Sequence, residues 1–198
     1  MANEISFHPN DIQTSLLADR NIFLYGEINQ DICLGIQKTL LYFDGIDDKS
    51  DINIYISGPG GSINDGLGLI DIMRTIKSRI NVICVGQAAS MSALIFLNGD
   101  RRYMMPNSQL MLHQPLGGAS GQASDIELIS KQILKLKAWI NNMISQNSAL
   151  DLKRVESITD RDCYIDAQTA LEYGLADDII KPTKNRKTKN QIKRITNV

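Results

Sequence analysis

Apolar positions along the chain follow two rhythms. Short runs that alternate or are continuously apolar occur at 22–25, 52–56, 82–85, 102–104, 109–112 and 179–180, and each predicts a strand. Longer runs repeating every three or four residues predict helices at 30–43, 63–76, 91–97, 124–146, 152–157 and 167–173. Strands that alternate with helices in this way imply an α/β fold with largely parallel strands. No internal repeat is present. The longest helical run carries Ile126, Ile129, Ile133, Leu136, Ile140 and Met143 as one apolar stripe, and it follows the glycine-rich stretch LGGASGQ.

Three places in this pattern carry chemistry. After the apolar run Ile80, Val82, Ile83, Cys84 and Val85, the small residues 86–89 predict a tight turn that leaves Ser90 at the start of a helix. A serine there is commonly an N-cap; more rarely it is a nucleophile, exposed beside the free N–H groups of the helix's first turn. His113, in MLHQP at 111–115, stands at the end of a predicted strand and fits either a general base or a structural histidine. The other histidine, His8, lies in a polar N-terminal segment that looks too loose to build a site. A serine needs such an imidazole beside it, because its hydroxyl is a weak nucleophile at neutral pH. The third place is SGPGGSI at 57–63, where glycines after a strand form either an ordinary turn or a close backbone approach to a ligand. It has neither the Walker nor the dinucleotide spacing.

Composition narrows the class. A chain of 198 residues with 43% hydrophobic content can bury one sizeable core. It has no apolar run of transmembrane length and no signal-peptide pattern, so neither a membrane nor secretion is expected. Cys33, Cys84 and Cys163 are widely spaced, with no metal-ligand pattern and no disulfide framework, as suits a reducing cytoplasm. From Lys181 onward the chain has basic residues and no acidic ones, and 181–198 reads as a solvated tail, not a nucleic-acid contact.

Four motifs in order, GPGGS at 58–62, GQAASM at 86–91, MLHQP at 111–115 and Asp160-Arg161-Asp162, together resemble the proteolytic subunits of the ATP-dependent Clp proteases, the ClpP family. Matching stretches at 16–28, 121–134 and 170–179 extend the resemblance over about residues 16–180. It implies a crotonase-like ββα spiral with an extended handle strand and helix, divided into a short N-terminal axial segment at 1–15, one protease domain at 16–180 with its handle at about 115–146, and the tail. It implies Ser90 as nucleophile, His113 as general base and acid, Asp162 as the group orienting the imidazole, and the backbone N–H groups of Gly61 and Met91 as the oxyanion hole. Asp160 and Arg161 would belong to a contact between two stacked seven-membered rings. Tyr55, Ile83, Val85, Tyr103 and Met105 match a pocket that receives an AAA+ unfoldase; core packing is the ordinary alternative for each.

The implied activity is serine endopeptidase cleavage of unfolded polypeptides inside a barrel, with no cofactor or metal in this chain and ATP used by the unfoldase. A silent ring subunit that binds an unfoldase or a paralogue, and a crotonase-like acyl-CoA enzyme, are the alternatives. The chain departs from the family pattern at Asn53, Gly58 and Ser92, in a slightly shorter segment between Ser90 and His113, and in a short N-terminal segment.

Overall fold

The computed structural model describes residues 9–181, so His8, the start of the N-terminal segment and the basic tail from residue 182 lie outside the described residues. The chain runs α1 (Pro9–Ala18), β1 (Asn21–Ile28), α2 (Gln30–Ile46), β2 (Ile52–Gly61), α3 (Ile63–Thr75), β3 (Ile80–Ala89), α4 (Met91–Leu97), β4 (Arg101–Met104), β5 (Gln109–Leu112), α5 (Ala123–Gln146), α6 (Leu152–Thr159), β6 (Cys163–Asp166), α7 (Ala167–Glu172) and β7 (Asp178–Ile179). One seven-stranded sheet has the order β1-β2-β3-β4-β7, with β5 pairing β3 and then β6. Its ladders are parallel except β5 with β6.

The long central strands change partners halfway along. In its first half β3 lies between β2 and β4, and from Gln87 to Ala89 β5 takes the place of β4 while β2 still pairs at Ala88. Register shifts between Tyr25 and Glu27 in β1 and between Ile56 and Gly58 in β2 mark the same level. Gly26 and Gly86 stand there at φ 95° and 74°, a conformation that disfavours any residue with a Cβ. The expected turn at 86–89 is therefore corrected, and of the two readings of 57–63 the ordinary turn is set aside: strands continue to Ala89 and Gly61, and the glycines bend the ladder instead of ending it.

Below this bend, period-two alternation separates the faces of the sheet. Ile22, Leu24, Ile52, Ile54, Ile56, Ile80, Val82, Cys84 and Met104 form the core face together with buried residues of α2, α3 and α4. The opposite face carries Phe23, Tyr55, Ile83 and Tyr103 in a single row across four strands, with Phe23 stacked on Tyr55 at 5.1 Å. The row before it is Asn21, Asn53 and Asn81, whose side-chain amides bond one another at 3.1 and 3.0 Å.

Two elements are absent from the sequence-based prediction. Helix α1 begins in the polar segment before residue 16 and so crosses the expected boundary at 15/16. Strand β6 lies in the polar run CYID, where only Ile165 is fully buried. No strand falls between β5 and α5 among the described residues of the single chain, and the handle strand stays an expectation of the resemblance. A strand is defined by its ladder, and in a single chain this segment has nothing to pair with. Only the C-terminal part of α5 enters the core, through Ile140, Met143 and Ile144. Ile126, Leu128, Ile129, Leu134 and Trp139 remain exposed.

Candidate active site

Ser90 joins β3 to α4 and has φ 52° and ψ −120°, one of two non-glycine residues at positive φ among the described residues. It occupies the N-cap position of α4, yet its side chain makes no capping bond. The capping alternative for Ser90 is thereby set aside. Oγ instead lies 2.8 Å from Nε2 of His113, and the Ser90 N–H donates to the Met111 carbonyl at 2.8 Å. That bond extends the β3–β5 ladder, in which Ala89 faces Met111, and it brings the serine turn to the end of the strand carrying the histidine.

Strand β6 supplies the third group. In the antiparallel β5–β6 ladder Leu112 faces Cys163, so one step further His113 meets Asp162. Nδ1 of His113 is 3.2 Å from Oδ1 of Asp162. With Nδ1–H donating to the carboxylate, Nε2 is left as an acceptor for the serine hydroxyl. The imidazole is largely enclosed, its side chain 13% exposed, while the Asp162 side chain is 60% exposed. Neighbouring acids have other work: Asp151 accepts from Arg154 N–H and caps α6, and Asp166 accepts from Thr169 N–H and caps α7.

Glycine backbone faces the serine from β2. A Cβ on Gly60 would lie 2.7 Å from Ser90 Cβ and 2.9 Å from Met91 N, so no side chain fits between the two strands. Gly61 follows at the end of β2, where a Cβ would collide with the Ile28 carbonyl. Met91 is the first residue of α4, and its N–H has no acceptor within the helix. Of the two expected oxyanion donors, Met91 adjoins Ser90 and Gly61 ends β2 one residue beyond Gly60, the glycine packed against the serine, which the sequence reading did not single out. Its signal was the doubled glycine itself. A small apolar pocket beside the dyad is lined by Ile63, Met91, Leu94, Leu112, Pro115 and Ile140, among others.

The remaining expected residues divide into two groups. Asp160 and Arg161 lie beside the triad on the loop after α6, both well exposed, with 3.9 Å between their charged groups. Tyr55, Ile83 and Tyr103 share the outer row of the sheet, Val85 continues β3 on that face, and Met105 follows β4. Ile83 is buried and the other four are half-buried. Phe23 and Tyr25 belong to the same face and are about half exposed; the alternation in NIFLYGEI held that information.

Cysteine chemistry has little support here. Burial, with Asp65 nearby, pushes the Cys33 thiol up to about 11. Burial likewise raises Cys84 to about 11 against the opposing hydrogen bonds from Ser108 and Ala88. Both remain protonated thiols at neutral pH, and a thiol is not the nucleophilic form.

No helix among the described residues is long and apolar enough to cross a membrane. The family model for Clp protease matches residues 4–183, which takes in the glycine strand, the serine turn, the histidine strand and the aspartate loop. The chain belongs to the Clp protease family.

Proposed function

We propose that this chain is a serine endopeptidase working through an acyl-enzyme. The observation that carries the reading is the continuous line from Asp162 through His113 to Ser90, at 3.2 and 2.8 Å. His113 Nε2 takes the hydroxyl proton as Ser90 Oγ attacks the peptide carbonyl, and Asp162 holds the ring and stabilises the imidazolium. The N–H groups of Gly61 and Met91 receive the negative charge that develops on the carbonyl oxygen. His113 then protonates the leaving amine, and water, deprotonated by the same imidazole, releases the acyl group and restores Ser90. The apolar pocket next to Ser90 favours substrates with a hydrophobic side chain before the scissile bond.

Assembly follows from the surfaces left uncovered. The exposed apolar residues of α5, with Leu34, Leu41, Tyr42 and Ile46 on α2, suit burial against further copies in two stacked seven-membered rings. Asp160 and Arg161 then sit at the ring contact. The aromatic row of the sheet, including Tyr55, Ile83 and Tyr103 with Val85 and Met105 beside it, receives the AAA+ unfoldase that consumes ATP and feeds unfolded chains. Three free cysteines suit a reducing cytoplasm.

A short fluorogenic peptide with an apolar residue at the cleavage position tests the reading. Ser90→Ala is expected to lower turnover by about 10³-fold or more, and Asp162→Asn by about 10³- to 10⁴-fold. Hydrolysis that survives Ser90→Ala at the original rate contradicts it.

A further inference from the structure

The triad is bordered by a polar network that the catalytic line does not use. Gln114 follows His113, and its backbone N–H donates to the Thr159 carbonyl at 2.7 Å. Its side-chain Nε2 donates to the Asp160 carbonyl at 2.8 Å. The other end of the same amide, Oε1, accepts from Lys137 Nζ on α5 at 2.9 Å. Lys137 Nζ also lies 4.0 Å from Oδ1 of Asp160. One turn further along α5, buried Asn141 meets the Thr159 hydroxyl at 3.0 Å.

We infer that Lys137 and Gln114 are positioning residues that hold the Asp162 loop at the correct distance from His113. The inference rests on the reading of Ser90, His113 and Asp162 as the catalytic set. Asp162 has His113 as its side chain's one polar partner among the described residues, and it is more than half exposed. Its place is therefore set by its backbone, which has just left α6 and has not yet entered β6. Gln114 clamps that backbone at two successive carbonyls, from the residue next to the imidazole. Lys137 decides which way the clamp faces. An ammonium has only donors, so it selects the amide orientation with Oε1 toward α5 and leaves Nε2 to donate to Asp160. Without it the amide is free to rotate, and only the Gln114 backbone bond to Thr159 still ties the two halves of the His113–Asp162 contact together.

Lys137→Met, Lys137→Arg and Gln114→Glu test this in the full-length protein. Glu at 114 has nearly the shape of Gln but presents an acceptor to the Asp160 carbonyl, so it opposes the clamp without removing bulk. Lys137→Met and Gln114→Glu should slow fluorophosphonate labelling of Ser90 by about tenfold or more, since misplacing a catalytic group by about 1 Å costs up to about a hundredfold. In peptide hydrolysis the loss should fall on kcat with KM unchanged. Lys137→Arg keeps a donor and should restore both. The second readout does not need activity: the chain has two histidines, so nitrogen-15 histidine spectra resolve the His113 ring. Its Nδ1–H signal should persist in the wild type and Lys137→Arg and be lost to exchange in Lys137→Met. Wild-type labelling and an unchanged ring signal in Lys137→Met would overturn the inference. A wild type that does not label Ser90 refutes the catalytic assignment instead, and the ring signal still decides the role of Lys137.

Discussion

At the scale of single residues, hydrogen bonding separates side chains that look alike in the sequence. Asp151, Asp162 and Asp166 lie within one polar stretch; two cap helices and the third reaches the imidazole. Ser90 and His113 could be picked out from their places at element ends, whereas Asp162 came only from the family resemblance, because its partner is set by the β5–β6 register and not by spacing along the chain. Asn53, which departs from the family pattern, fits its own row as the middle of an asparagine ladder. Ser92 departs at a cost: its hydroxyl is buried and has no partner among the described residues, and a Cβ on Gly58 would lie 3.0 Å from it. Ser92→Ala removes an unsatisfied polar group and improves helix propensity in α4. It should stabilise the protein by about 1 kcal/mol, read as a higher denaturation midpoint. A lower midpoint would show that the hydroxyl is satisfied after all.

Among the secondary-structure elements, periodicity located every described helix except α1 and every central strand, since each buries an apolar face whose rhythm survives in the sequence. Strand β6 was missed because it is short, polar and held by its ladder to β5, and the continuation of β2 and β3 through glycine was missed because glycine ordinarily marks turns. The sheet's far edge depends on polar contacts of a different kind. Arg102 on β4 bonds both oxygens of Asp177, at 2.6 Å to one and 3.2 Å to the other, and donates through its backbone N–H as well. Burial pushes the Asp177 carboxyl up, but the hydrogen bonds and charge of Arg102 outweigh it and hold the group below its ordinary value. A carboxyl depressed on folding contributes stability that is present above its unfolded pKa of about 3.9 and is lost as pH falls through the folded value. Asp177→Asn should therefore lower the thermal midpoint at neutral pH, with the gap to wild type closing below about pH 4. A gap that stays constant down to about pH 3 would assign the loss to packing instead.

For the whole molecule, the sequence pattern located the stripe on α5 but not its use. Periodicity is the same whether a stripe meets its own core or another chain. Here the core takes Ile140, Met143 and Ile144, and the upstream stripe residues Ile126 and Ile129 are 41% and 39% exposed. On the proposed two-ring assembly, replacing both with Asp should leave the folded subunit intact and reduce the mass seen in native mass spectrometry to that of one ring or less. An unchanged mass would place the ring contact elsewhere. The central claim concerns the serine on which the strands, the glycine approach and the histidine converge. Fluorophosphonate labelling of the full-length protein, followed by peptide mass spectrometry, tests it most directly. The modification is expected on Ser90, absent in Ser90→Ala and strongly slowed in His113→Ala. Labelling at another residue, or labelling that persists in Ser90→Ala, would contradict it.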